Sequence, residues 1–256
     1  VDNDTKYRTL DLFSGIGGIS LGLQRWCKTV CYCEIDPYAC GVLIKNMAEG
    51  NIDTAPIWSD VTTLGQTELD AIGRIDCITG GFPCQDISCA GKGAGIVKGE
   101  TRSGLFFEIV RLVRMVRPQI IFLENVPAIT VRGLDTVLAE LAACGYDARW
   151  KVLSAAEMGA PHKRDRWWCL VHTKSQRHNK ITKIHSKTTA KPEYGQRILK
   201  QHTNTIRSEI WEVSECDFLP ESDDVSSELD GIRCYGNTVV PQCVEKAFEI
   251  LYEDIL

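Results

Sequence analysis

The strongest constraint on this chain is an alternation of short β-rich apolar runs with segments of helical period. "RTLDLF" (Arg8 to Phe13) reads as a first strand and "GGISLGLQRW" (Gly17 to Trp26) as a helix opening on glycines. "TVCYCEID" (Thr29 to Asp36) reads as a second strand, followed by a helix from Pro37 to about Ala48, with proline suited to a first helical position. "RIDCITGG" and "PQIIFLENV" are continuous apolar runs of the kind found in parallel strands buried on both faces. Between them, Leu105, Phe106, Ile109, Leu112, Val113 and Val116 recur at helical spacing. A helix from Leu134 to Cys144 and strands near Ala148–Leu153 and Arg166–His172 continue the series. The pattern predicts an α/β fold with a doubly wound, mostly parallel sheet, whose ligands bind beyond the carboxyl ends of the strands.

Composition narrows the class. A chain of 256 residues, 44% hydrophobic and 25% charged, can bury a substantial core. It has no apolar run long enough to span a bilayer, and Val1 to Leu10 lacks the apolar centre of a secretion signal. An intracellular, cytoplasmic protein is therefore expected. Its 12 cysteines are spread through apolar stretches, so reduced, packed thiols are expected rather than a disulfide framework. The cluster Cys27, Cys31 and Cys33 fits no common zinc spacing, and alternation puts Cys31 and Cys33 on one strand face. No metal is expected.

The net charge of −5 hides a partition. From His172 to Ser208 nine Lys or Arg residues, from Lys174 to Arg207, face the single acid Glu193. From Glu209 to Asp230 there are nine acids and no Lys or Arg. Such blocks mark either a functional division of charge or a solvated, disordered insert.

The strand-end rule ranks the chemically loaded residues. In "DLFSGIGG" (Asp11 to Gly18) the glycines let backbone approach a ligand at a helix amino terminus. Glu34 ends the second strand, where a carboxylate can hold ribose hydroxyls, and Asp60 ends the third, within reach of an adenine amino group. Taken alone, this set indicates a nucleoside-containing cofactor, although any single glycine can equally be a turn former. "GGFPCQDIS" places Cys84 after a proline and two glycines, so a thiol is held on a stiff turn at the sheet's carboxyl edge. "FLENV" places Glu124 and Asn125 at the end of an apolar run, where a carboxylate is costly unless bonded or used. "APHKRDRWW" sets Arg164 and Arg166 two apart just before a strand, and "YGNTVVPQ" offers Gly236 and Asn237 before the last helix.

These motifs, in this order, resemble the cytosine-C5 DNA methyltransferases over roughly Thr9 to His172 and again Leu229 to Ile250. The resemblance implies a class I, Rossmann-like methyltransferase fold and S-adenosyl-L-methionine as cofactor. It implies catalytic roles for Cys84, Glu124, Arg164 and Arg166: the Cys84 thiolate adds to C6 of cytosine, Glu124 contacts N3 and the exocyclic amine, and Arg166, supported by Arg164, holds O2 or an adjacent phosphate. For the cofactor it points to Phe13, Gly15, Ile16, Gly17, Glu34, Ile35, Asp60, Val61, Pro83, Asn237 and Thr238, with Ile35 and Val61 flanking the adenine. The target base must be flipped out of the duplex. Gln85, Ser88, Lys92 and Arg102, in the glycine-rich stretch after Cys84, are then expected to contact DNA as part of a closing loop.

The chain also departs from the family pattern. His162 stands where a glutamine is usual, and the space between the arginine and final motifs, His172 to Gly231, is shorter than usual. The expected organisation is a catalytic and cofactor-binding domain over 1–172, a reduced target-recognition region over 173–230, and a segment over 231–256 that returns to the catalytic domain. Double-stranded DNA is the expected partner, in a bacterial host cell, the enzyme acting alone or beside a restriction endonuclease, with a monomer as the simplest state. An RNA-directed relative is disfavoured because the cysteine-phenylalanine-threonine segment of the tRNA enzymes is missing. A degenerate binding protein is disfavoured by intact Cys84, Glu124 and Arg166. A nicotinamide oxidoreductase would account for the glycines and Glu34, but not for "PCQ" or "ENV".

Overall fold

The structure is a computed structural model that describes residues 6–84, 96, 102–160, 162–173, 238–253 and 255. Residues 174–237, nearly all of the expected recognition region, lie outside the described residues.

Seven strands form one sheet: β1 (Tyr7–Leu12), β2 (Cys27–Cys33), β3 (Ile57–Trp58), β4 (Cys77–Gly81), β5 (Ile120–Asn125), β6 (Tyr146–Ser154) and β7 (Asp165–Thr173), in the spatial order β3-β2-β1-β4-β5-β7-β6. The pairings from β3 through β5 are parallel, whereas β7 runs antiparallel to both β5 and β6. The order reverses between β1 and β4, which creates a crevice at their carboxyl ends. All six residues of β5 are buried, as expected of a central strand covered on both faces.

Helices cover both faces, as the doubly wound expectation requires. Helix α1 (Gly18–Gly22) and helix α7 (Pro241–Glu253) pack on one face, where Phe122 and Trp168 of the sheet stack with ring centroids 5.5 Å apart and Phe248 meets Phe122 edge-on. On the other face lie α4 (Phe106–Val116) and α6 (Leu134–Ala143), with Ile109, Val113, Val137 and Leu141 buried. Burying each such side chain stabilises the fold by about 1.5–3 kcal/mol, so Phe248, shared by helix and sheet, is a costly position to truncate. Helix α2 (Pro37–Ala48) begins at the predicted proline, and Asp36 caps it by accepting from the amides of Tyr38 at 2.9 Å and Ala39 at 3.2 Å. Two short helices, α3 (Gln66–Ile72) and α5 (Ile129–Arg132), complete the described set.

The first helix is shorter than its sequence suggests. It ends at Gly22, five residues before β2 begins at Cys27, and Gly22 lets α7 pack closely, since a Cβ there would lie 2.6 Å from the Pro241 carbonyl and 2.5 Å from Val244. The nine described cysteines are unpaired, and Cys31 and Cys33 share one buried cluster while Cys27 packs in the other. Among the described residues no helix is long and apolar enough to cross a membrane.

Candidate active site

The carboxyl edge of β1, β2, β4 and β5 gathers most of the candidate side chains. After β1 the chain turns sharply through positive φ at Phe13 (54°), Gly15 (54°) and Gly17 (91°). For Phe13 this left-handed conformation costs about 1–3 kcal/mol, a strain that clusters at functional sites. The turn aims the Gly15 amide at the carboxylate ending β2: Gly15 N donates to Glu34 Oε2 at 2.7 Å and Asp36 N to Oε1 at 2.9 Å. Glu34 is thereby fixed by two backbone donors. Beyond β3, Asp60 caps a 3-10 turn, Val61–Thr63, and the Thr62 amide and hydroxyl hold its carboxyl below the usual carboxylate range. Ile35, between these acids, is 72% exposed although it is a large aliphatic residue.

At the other end of the same edge, Pro83 and Cys84 follow β4 directly. Glu124 is buried in β5, and its Oε1 lies 2.9 Å from Arg166 Nε. Burial raises the Glu124 carboxyl to about 7, against the opposing pull of Arg166 and Arg164. The same burial, with the nearby Glu124 charge, raises the Cys84 thiol, while Arg166 acts in the opposite sense. Gly81 makes room for the acid, since a Cβ at that position would lie 2.8 Å from Glu124 Oε2. Asn125 ties the two strands at the site: its Nδ2 donates to the Phe82 carbonyl at 3.1 Å and its Oδ1 accepts from the Val126 amide at 2.8 Å. Behind the edge, the fully buried Asp11 accepts from the hydroxyls of Thr79 at 2.6 Å and Ser20 at 3.0 Å, and burial raises its carboxyl to about 6.

One cavity of about 560 Å³ joins the two ends. It runs from Glu34, Ile35 and Asp60 to Cys84, Glu124 and Arg166. Of the site residues expected from sequence and described in full, all but Gly17 and Arg164 line it: Phe13, Gly15, Ile16, Val61, Pro83 and Thr238 complete the set. Gly17 serves packing instead, because a Cβ there would lie 3.1 Å from both Leu43 and Ile52. Arg164 reaches away, donating to the Thr238 carbonyl, and so tethers the segment before α7. Gln85, Ser88, Lys92 and Asn237, and the side chain of Arg102, lie outside the described residues. Among the described residues no group of three or more His, Cys, Asp or Glu side chains is placed to hold a metal ion.

Sequence reasoning missed several contributors. Gly81 and Asn125 were visible only as parts of motifs, and their roles depend on which strands are neighbours. Asp11 carried a signal, a charged residue inside an apolar strand. Ser14, Asp36 and Thr62, which also line the cavity, carried none beyond their positions in turns.

Comparison with known proteins identifies the family. A sequence profile for C-5 cytosine-specific DNA methylase matches residues 7–229. The type II methyltransferase M.CviJI of Paramecium bursaria Chlorella virus IL3A is 38% identical over 165 residues, covering 64% of this chain and 42% of the viral protein. M.NgoBI of Neisseria gonorrhoeae, also a type II methyltransferase, is 38% identical over 165 residues, covering 62% and 49%. The matched segment thus spans less than half the length of either relative. The Dnmt2 methyltransferase of S. pombe shares the fold with a TM-score of 0.65 at 19% identity, covering 98% of this chain and 99% of that one. The strand order, the edge that carries Cys84 and Glu124, and a profile match over most of the chain lead to one assignment: the chain belongs to the C-5 cytosine-specific DNA methylase family.

Proposed function

We propose that this chain transfers a methyl group from S-adenosyl-L-methionine to C5 of a flipped-out cytosine in double-stranded DNA, through a covalent bond between Cys84 and C6. The observation that carries this reading is the single cavity with nucleoside-type acids at one end and the Cys84, Glu124 and Arg166 group at the other.

The residues at the first end suit the cofactor. The exposed face of Ile35 and the side chain of Val61 offer apolar surface for a purine ring, with Asp60 beside them for its amino group. Glu34, already oriented by the amides of Gly15 and Asp36, can accept from two ribose hydroxyls. No atom lies within 4 Å of where a Gly15 Cβ would stand, which leaves the backbone open to close approach. When bound, S-adenosyl-L-methionine supplies the methyl group and leaves a sulfonium-free product.

At the second end the chemistry follows from charge. C5 of cytosine is a weak nucleophile until electrons enter the ring. The Cys84 thiolate forms a bond to C6, and the electron pair displaced from the C5–C6 double bond is drawn toward N3. Glu124, with its carboxyl raised to about 7, is available in the protonated form to donate to N3 and stabilise that charge. Arg166 fixes the Glu124 carboxyl and presents cationic surface to O2 or a neighbouring phosphate. After C5 is methylated, solvent water takes the C5 proton, its electron pair re-forms the C5–C6 double bond as the Cys84 thiolate leaves, and N3 returns its proton to Glu124. Extrusion of the base from the stack is required for either atom to reach the site.

The partition of the rest is read in the same way. Target recognition is assigned to 173–230 on the contrast between its basic and acidic blocks, with 1–172 as the catalytic body. The packing of α7 on α1 and β7 supports the return of 231–256 to that body. The naming of the relatives as type II methyltransferases supports a restriction endonuclease as a companion, and a cytoplasmic setting follows from that role.

The direct test is to express the chain beside a plasmid and map protected cytosines by bisulfite sequencing. Modified cytosines in a fixed sequence context are expected with the wild type and none with Cys84→Ser. An unmodified plasmid in the presence of soluble, cofactor-binding protein would refute DNA as the substrate.

A further inference from the structure

We infer that Arg111, on the outer side of α4, is a positioning residue that sets affinity for the adenine end of the cofactor, an inference that rests on the reading of the cavity above. Arg111 is half-buried, and it reaches Val61 through that residue's backbone carbonyl. Its guanidinium spans the 3-10 turn after Asp60: Nη2 donates to the Val61 carbonyl at 2.8 Å and Nη1 to the Leu64 carbonyl at 2.9 Å. Nε is held by Glu108 Oε2 at 2.6 Å, one helical turn away. The planar fork is therefore locked by one carboxylate and closes on both ends of the turn at once.

The geometry matters because of what the turn carries. Within the turn the Val61 carbonyl accepts a long bond, 3.4 Å, from the Leu64 amide, and Leu64 stands at the turn's end. Arg111 supplies donors from behind, while Trp58 Nε1 donates to the Asp60 carbonyl and the Thr63 hydroxyl, both at 3.0 Å. The front of the same turn presents Asp60, Val61 and Thr62 to the cavity. Leu105, immediately before α4, also lines the cavity. Lysine can satisfy one carbonyl but cannot bridge both and the carboxylate in one plane.

The experiment uses the full chain, with S-adenosylhomocysteine as the calorimetric probe and methyl transfer to plasmid DNA as the rate assay. Arg111→Lys is expected to weaken probe binding about tenfold and to raise KM for the methyl donor by a similar factor. Its kcat at saturating donor is expected to stay within about twofold. Because Arg111 acts through the turn, its effect should be non-additive with that of Asp60→Asn in a double-mutant cycle. Arg114→Met, which loses only the exposed contact with Glu140 on α6, is the control that should bind like wild type. A folded Arg111→Lys with unchanged probe affinity, or with lost kcat and unchanged KM, overturns the inference. Should that variant not fold, Glu108→Ala, which removes the acceptor from Nε, decides: weaker probe binding supports the role and unchanged binding overturns it. Wild-type protein that fails to bind the probe would refute the cofactor reading itself, an outcome distinct from failure at Arg111.

Discussion

Arg166 Nε lies 2.9 Å from Glu124 Oε1, and the two side chains meet diagonally across an antiparallel strand pair in which Glu124 stands opposite Trp168. Residues two apart on a strand share a face, so Arg166 and Trp168 face the same way and Arg166 falls beside the acid. The contact leaves Glu124 buried beside Arg166, with Arg164 also acting on it and burial still dominating its acidity.

Glu124→Gln is expected to lower kcat for methyl transfer by about 10²–10³-fold, the usual cost of losing one preorganised group at a developing charge. Affinity for S-adenosylhomocysteine should change little, because Glu34 and Asp60 lie at the other end of the cavity. Calorimetry beside single-turnover kinetics separates the two. Lost cofactor affinity with an intact rate would remove Glu124 from the base site.

The same carboxyl gives the ligand-free protein a pH dependence. Its value in the fold, about 7, lies above the ordinary 4.5, so the folded state binds the proton more tightly than the unfolded chain. That contribution to stability is full below about 4.5 and is lost as pH rises through about 7. Asp11, raised from 3.8 to about 6, acts in the same sense over a lower window. Denaturant unfolding of wild type minus Glu124→Gln across this range should isolate the Glu124 part. A difference that is flat with pH would contradict the assigned shift.

Cys84 should react slowly with iodoacetamide near neutral pH and faster as pH rises, since burial favours its thiol form. Arg166→Met should slow the reaction by removing the charge that favours thiolate, and Glu124→Gln should speed it at pH values where Glu124 is ionised. Peptide mapping by mass spectrometry resolves Cys84 from the other cysteines. Equal rates in all three proteins would show that this electrostatic coupling is absent.

Gly81→Ala tests the fit of the acid against the neighbouring strand. A Cβ 2.8 Å from Glu124 Oε2 must displace the carboxylate or shift backbone, at a cost of about 1–3 kcal/mol. Methyl transfer should fall sharply while cofactor binding persists. An alanine variant with wild-type rate would mean that the carboxylate position tolerates movement.

The local features of this chain were legible because they are written in short-range terms. Period in the apolar residues gave the alternation of strands and helices, Pro37 fixed the start of α2, and Glu34, Asp60, Cys84 and Glu124 stood at strand ends where ligands bind. Strand neighbours were not legible, since pairing joins residues distant along the chain. "HKRDR" showed two arginines before a strand but not the direction in which that strand enters the sheet.

By itself, the sequence determined the α/β class, the acids at the strand ends and the thiol just beyond β4, since propensity, hydrophobic period and turn residues act over a few positions. Only the tertiary structure decided that β7 runs antiparallel beside β5. That reversal brings the beginning of β7, rather than its end, to the catalytic edge, and so delivers Arg166 to Glu124 while Arg164 turns to Thr238. It also decided that Gly17 packs against Leu43 and Ile52, and that Arg111 holds the turn behind Asp60 from a helix far along the chain. Each of these depends on which distant backbones become neighbours, and that is set by burying both faces of the sheet at once.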